Sequence, residues 1–224
     1  LEQLKRNRAA TTQRIVTALE EVLAEQGIDG VCITTIAEKA AVSKVLIYRY
    51  FGGLPGLIEY YVRMGHLVPH YSPDWLEQIQ PVHAEDLAPV WSSQTLQLFR
   101  RLRASQSSRE LLKATVQESS PLSETVSRTL DEELTHLVDQ LSFVKGGDHQ
   151  AMSAILLGAL SYLTIQAQND RPMIGLDLRS EAVWQRIEES IRGIYKAMAH
   201  SANESTTTKV ALRPAFAAVS SWDN

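Results

Sequence analysis

Four residues within seven positions, Lys44, Tyr48, Arg49 and Tyr50, combine two permanent positive charges with two phenol hydroxyls. Such a set can neutralise phosphates, donate hydrogen bonds to their oxygens and, through the guanidinium of Arg49, read the edge of a guanine. Leu46 is placed to touch a thymine methyl. These are the tools of nucleic-acid recognition rather than of bond making. A helical hairpin in an ordinary all-α protein would give no reason to gather them on one short exposed helix.

The elements that must position this set are legible around it. Residues 12–26 read as a helix, because Ile15, Ala18, Leu19, Val22 and Leu23 follow the i, i+3, i+4, i+7, i+8 spacing of one buried face. Gly27 ends it as a left-handed cap. After a turn at 28–31, a short second helix carries Ile33, Ile36, Ala37 and Ala40 on one side. A tight turn, Ala41-Val42-Ser43, leads to a third helix at about 44–50, closed by Gly52-Gly53. A fourth begins near Leu54-Pro55, Pro being suited to a first turn, and continues through Leu57, Ile58, Tyr61, Val62 and Met64. Ile36, Ala37, Val42, Ile47 and Phe51 would hold a small three-helix unit. Such a helix-turn-helix, at residues 34–50, lays its second short helix in a major groove while the first crosses the backbone.

The rest of the chain is helical too. Residues 66–83 contain Pro69, Pro73 and Pro81 and read as an irregular connection. Helices are expected at about 85–105, 107–118, 122–143, 148–169 and 180–200, the last capped by Ser180. The segment 201–224, rich in Ser, Thr and Ala, shows no clear periodicity and is expected to be mobile, or ordered only against the body. No run of period-2 alternation suggests strands, and there is no internal repeat.

Composition adds limits. The 224 residues are 44% hydrophobic and 21% charged, as in a globular protein with one or two domains. No uninterrupted apolar run reaches the ~20 residues of a membrane span, and the basic N-terminus lacks the apolar core of a signal peptide. The single cysteine, Cys32, allows no intrachain disulfide and suits a reducing cytoplasm. Net charge is -4, yet residues 1–51 hold seven Lys/Arg against six Asp/Glu, so that segment is +1 and the remainder -5. A basic arm on an acidic body fits a molecule that meets phosphate at one end.

The runs Arg14-Ile15-Val16-Thr17-Ala18-Leu19, Gly27, Ile36 to Lys44 and Leu46-Ile47-Tyr48-Arg49-Tyr50-Phe51 resemble the N-terminal signature of the tetracycline-repressor (TetR) family over about residues 12–60. The resemblance implies an all-α protein with an N-terminal three-helix DNA-binding domain (1–53), a C-terminal helical-bundle domain for ligand binding and dimerisation (54–200) and a tail (201–224). It implies a cytoplasmic homodimer that regulates transcription, by the family's habit a repressor, released from a near-palindromic operator by a small molecule. The DNA-contacting set would be Thr34, Thr35, Ser43, Lys44, Val45, Leu46, Tyr48, Arg49, Tyr50, Gly52 and Gly53.

Three positions depart from the family pattern. Ala41 stands where the turn usually has Gly, at some cost if the backbone is left-handed. Cys32 falls where a Ser/Thr cap is usual, so that Thr34 or Thr35 would take over, the latter with Glu38 in a capping box. Leu54 replaces a Lys that often begins the fourth helix and pins a phosphate. The amides of Gly52 and Gly53 would then hold that phosphate.

By the same resemblance the last two long helices dimerise, through stripes of Met152, Ile155, Leu156, Ala159, Leu160 and Leu163 and of Val183, Ile187, Ile191, Ile194 and Met198. Ala154, Gly158 and Ser161 adjoin the first stripe and are small enough for close helix approach. Both stripes could equally face the chain's own core. The ligand pocket would draw on Met64, Trp75, Trp91, Phe99, Leu102 and Tyr162, with His66 or Gln94 as polar fixings. His66 and His70 are spaced as zinc ligands on a helix can be, but Pro69 breaks that helix, and no metal or cofactor is expected. No Gly-rich phosphate loop or nucleophile elbow suggests an enzyme, and Asp131–Glu133 with His136 read as a solvated helix face. The competing reading is an all-α interaction module, or a regulator controlled by a protein partner.

Overall fold

The computed structural model describes residues 2–80, 86–116, 120–142 and 148–216. Helix α1 spans Glu2–Gln26 and so begins ten residues before the expected start, taking the basic arm into the helix. No Gly or Pro interrupts the first 26 residues, and a helix already nucleated on a buried face propagates through them. Ile15, Val16, Leu19, Val22 and Leu23 are sealed from solvent. Gly27, at φ 68°, closes α1 by donating its N–H to Leu23 O at 3.0 Å. A 3-10 turn, Ile28–Gly30, leads to α2 (Ile33–Lys39), α3 (Lys44–Phe51) and α4 (Leu54–Tyr61).

Beyond α4 the backbone opens into a π turn, Val62–His66. That turn shifts the side-chain register by about one residue, so Met64, expected on the inner face, is 56% exposed. The connection that follows is less irregular than expected. Helix α5 occupies Pro73–Ile79, with Pro73 in the first turn where a missing N–H costs nothing and Ser72 Oγ accepting from the Trp75 amide at 3.3 Å. Residues 81–83 lie outside the described set.

The body comprises α6 (Leu87–Ala104), α7 (Gln106–Ala114), α8 (Pro121–Gln140), α9 (His149–Gln168) and α10 (Glu181–Phe216). Ser105, Ser120 and Asp148 cap α7, α8 and α9 through their side-chain oxygens. Helix α6 is the axis of the body, with Trp91, Leu96, Leu98, Phe99 and Leu102 all buried. Helix α10 lies along it, pinned by Thr95 and Tyr195 hydroxyls 2.7 Å apart and by Arg100 Nε donating to Glu188 Oε1 at 2.8 Å. The backbone of α10 continues as helix to Phe216, into the segment expected to be mobile or ordered only against the body; residues 217–224 are outside the described set. Ser and Thr have only middling propensity inside a helix, but a helix nucleated upstream extends through them. Among the described residues the only β pairing is an isolated bridge, Met173 to Leu176, between α9 and α10.

The N-terminal helices join the body where α1 and the 3-10 turn after it pack on α7, and where α4 and the turn after it pack on α8. Glu133, read from sequence as part of a solvated face, is 8% exposed instead. It accepts from Arg63 Nη1 at 2.9 Å and sits 2.8 Å from His70 Nε2, because the segment after α4 folds over that side of α8.

Candidate nucleic-acid interface

The helix-turn-helix is built on three fully or nearly buried residues, Ile36 and Ala37 of α2 and Ile47 of α3, which dock on the α1 stripe; Val42 and Phe51 pack partly buried around them. The turn between the helices is a Schellman motif. Val42 N–H reaches back to Ala37 O at 3.0 Å and Ala41 N–H to Glu38 O at 3.1 Å. Ala41 takes the left-handed position at φ 51°, where a methyl is strained.

The cap of α2 differs from expectation. Cys32 itself serves, its Sγ accepting from the Thr35 amide at 3.5 Å and lying 3.0 Å from Thr35 Oγ1. A sulfur acceptor is long and weak but fits the geometry, so neither threonine displaces it. These contacts lower the Cys32 thiol pKa, the Thr35 side-chain hydrogen bond contributing most.

Helix α3 turns Ile47 inward and leaves Ser43, Lys44, Val45, Tyr48 and Arg49 exposed, Val45 at 71% and Tyr48 at 57%. Thr34 is exposed at the start of α2, with Thr35 half-buried behind the cap; Leu46 and Tyr50 are also half-buried. Tyr50 meets Phe51 edge-on, and the Arg8 guanidinium lies 5.1 Å from its ring centroid. This contact brings a charge of α1 beside the reading helix. Among the described residues none forms an ion pair with Lys44 or Arg49, whereas Lys39 is held by Glu25 at 2.8 Å and Glu21 at 3.4 Å, which raise its pKa.

The joint to α4 needs glycine twice. Gly52 is left-handed at φ 76° and its amide donates to Tyr48 O at 2.9 Å, so that amide is already engaged and does not face outward. Gly53, at φ 115°, leaves room for the Tyr48 ring, whose Cε1 would lie 3.4 Å from a Cβ there. Helix α4 starts at Leu54 without a side-chain cap. Pro55 has no N–H, so Leu54 and Gly56 supply the amides of its first turn.

The residues read as ligand-lining are distributed less tightly. Two cavities adjoin in the body. The smaller, about 50 Å³, is walled by Trp91, Gln94, Leu98, Leu137, Met152 and Tyr195 among others. The larger, about 750 Å³, runs between α6, α7, α8 and α9 and takes in Phe99, Leu102, Leu112, Leu130 and Leu157. Leu98, Val138, Ser153 and Leu157 belong to both walls. Ala154, Gly158 and Ser161, read as a surface for helix approach, line the larger cavity. Tyr162 is 49% exposed, Trp75 stacks on Tyr71 at 3.9 Å between centroids, and neither lines these two cavities. The His66 side chain lies outside the described set.

The expected dimerisation stripes divide between two environments. Leu156, Leu160 and Ile191 are in the chain's own core, Met152, Leu163, Val183, Ile187 and Met198 are half-buried, and Ile155, Ala159 and Ile194 face out.

A short exposed helix bearing cations without ion pairs among the described residues, seated on a three-helix unit and followed by a helical body, defines a helix-turn-helix DNA-binding protein. Residues 15–60 match the family model described as bacterial regulatory proteins, tetR family. Over those residues the chain carries the DNA-binding region that this family of regulators shares. No curated protein sequence matches it. Among solved structures, it is similar to the fatty acid degradation regulator FadR from Bacillus halodurans, with TM-score 0.58 and 18% identity over 82% of this chain and 97% of that one. It is also similar to NalD, the secondary repressor of the MexAB-OprM multidrug efflux pump in Pseudomonas aeruginosa, with TM-score 0.56 and 17% identity over 83% and 95% of the two chains. At such identities the likeness speaks for the fold.

Proposed function

We propose that the chain is a homodimeric transcriptional repressor with a DNA-binding domain at 1–53 and a ligand-binding and dimerisation body at 54–200, and that a small apolar molecule in the larger cavity releases it from DNA. The observation that carries the DNA half of this reading is the free cationic surface of α3. Among the described residues no carboxylate holds Lys44 or Arg49, so no such ion pair must be broken when they meet phosphate. Arg8 beside Tyr50 and the first-turn amides of α4 extend the same face.

The dimer reading rests on α9. Among the described residues it is the one helix long and apolar enough to cross a membrane, yet only 17% of its most apolar window is buried within the chain. A helix apolar on most sides must find cover. A second copy supplies it, with Ile155, Ala159 and Tyr162 of α9 and Ile194 of α10 meeting their equivalents. A Cβ added at Gly193 would meet nothing within 4 Å, which leaves room for a partner helix. Two reading helices related by a dyad would lie about 34–36 Å apart or slightly more, on a near-palindromic operator.

The test is capture of genomic fragments followed by fluorescence anisotropy on the recovered site. Lys44→Ala and Arg49→Ala should each weaken binding, Arg49→Ala by about tenfold or more with relaxed sequence preference if it reads a base. Absence of sequence-specific binding at moderate salt would overturn the proposal. Binding unaffected by any small molecule would favour control by a protein partner.

A further inference from the structure

The larger cavity has a charged end, and that end is tied to the DNA-binding domain. Its inner wall is made by buried or half-buried leucines and Phe99, whereas its exposed rim carries Arg128 and Asp131 of α8 together with Thr135, Gln150 and Ala154. Arg128 also leaves the cavity in the other direction: its Nη2 donates to Glu59 Oε1 of α4 at 2.5 Å, while Nη1 lies 3.6 Å from Glu132 Oε1. Helix α4 is the element joined to the reading helix through Gly52 and Gly53. One guanidinium is therefore both a wall of the cavity and a tie to the helix that carries α3.

We infer that the effector is an amphipathic carboxylate whose apolar body fills the cavity and whose head takes Arg128 away from Glu59. The inference rests on the regulator reading above and names the ligand class of that same cavity. The dimensions fit: the lining runs from Ser127 to Val138 on α8 and from Gln150 to Ser161 on α9, a length of about 16 Å at 1.5 Å per residue. Gly158 on that wall would carry a Cβ into open space, so an unbranched chain passes without a side chain to displace.

The head group follows from coupling. A ligand shifts an equilibrium only through a group that differs between the two states. A cationic head would sit at Asp131 and leave the Arg128–Glu59 pair intact, binding without loosening α4. A neutral head gives Arg128 no reason to exchange. A carboxylate offers the guanidinium the same chemistry that Glu59 does, and an exposed ion pair is weak enough to be exchanged. Glu59 and the ligand head then compete for one cation, so α4 held in place weakens the ligand and the ligand loosens α4, as linkage requires.

The probes are dodecanoate, 1-dodecanol and dodecyltrimethylammonium, one body with three heads, used below their aggregation limits. Binding to the full chain is followed by calorimetry without DNA. Dodecanoate should bind wild type about two- to fivefold more tightly than dodecanol, as one solvent-exposed charged pair yields. Arg128→Gln should erase that difference. Glu59→Gln should tighten dodecanoate several-fold and leave dodecanol unchanged, because it removes the competitor; a merely structural ion pair would give no such gain. Equal binding of dodecanoate and dodecanol, no gain in Glu59→Gln, or preference for the ammonium would each overturn the inference. Release of bound DNA by dodecanol would overturn the head-group assignment while leaving the regulator reading intact. A chain that never binds DNA would remove that reading without touching the calorimetric result.

Discussion

Ala41 lies at φ 51° between the two helices of the DNA-binding motif, and the strain there can be measured. The Schellman turn requires a left-handed residue at that position because the amides of Ala41 and Val42 must turn back to Glu38 and Ala37. A left-handed L-residue costs about 1–2 kcal/mol relative to glycine. Substituting glycine returns that cost but adds about 0.4–1 kcal/mol of unfolded-chain freedom. The Ala41 side chain is exposed, so no packing is lost. The balance for Ala41→Gly is a gain of about 0.5–1 kcal/mol, or about 1–4 °C in Tm for a chain of this size.

The assay is thermal unfolding by circular dichroism at one fixed protein concentration, since a dimer's Tm depends on it. Ala40→Gly is the control: one residue earlier, Ala40 is right-handed at φ -75° and 4% exposed, so the same change there should lower Tm. Operator affinity of Ala41→Gly should stay within about threefold, because the turn already has the geometry that glycine prefers. An Ala41→Gly Tm equal to or below wild type, with Ala40→Gly lowered as expected, would refute the left-handed turn as a source of strain.

Other expectations follow from the same geometry. Leu54→Lys places a cation at the first turn of α4 and should tighten operator binding with a salt slope steeper by about 0.9; anisotropy at several salt concentrations reads this, and unchanged affinity would remove the idea that Leu54 weakens the grip. Ile155→Glu puts a charge on the exposed side of α9 and should shift the protein from dimer to monomer in sedimentation, whereas an unchanged dimer would place the interface elsewhere. Glu188, 7% exposed, is held below the usual carboxylate range first by its hydrogen bond to Arg100. Its contribution is therefore complete above the unfolded carboxylate value and fades as pH falls through the lower folded one. Glu188→Gln should lower Tm by about 2–4 °C at pH 7, for about 1 kcal/mol after discounting the solvent that reaches Arg100. That gap should close below about pH 4; a gap constant down to pH 3 would contradict the assignment.

The parts legible in the sequence are those that one helix or one turn decides. The α1 stripe, the Gly27 cap and the inward Ile36, Ala37 and Ile47 all follow from spacing along a single helix, and all are buried or placed as that spacing requires. The α2 cap was less legible because a thiol is a poor acceptor by type, and only the local approach of the Thr35 amide makes Cys32 serve. Helix α5 hid behind Pro73, which reads as a breaker unless Ser72 is recognised as the cap before it.

What spacing cannot give is the identity of the neighbour that covers a face. Leu156 and Ile155 are adjacent on α9, one buried and the other 64% exposed, and the apolar pattern scores them alike. The ionic ties of α4 and the turn after it to α8 join residues about seventy positions apart, Glu59 to Arg128 and Arg63 to Glu132 and Glu133. Each of these charges taken alone reads as a solvated surface residue. Their meaning is relational: α4 is fixed to the DNA-reading helix by covalent turns, and its packing on α8 is flanked by exchangeable ion pairs. The covalent side transmits a displacement, and the ionic side is where a ligand of matching charge can start one.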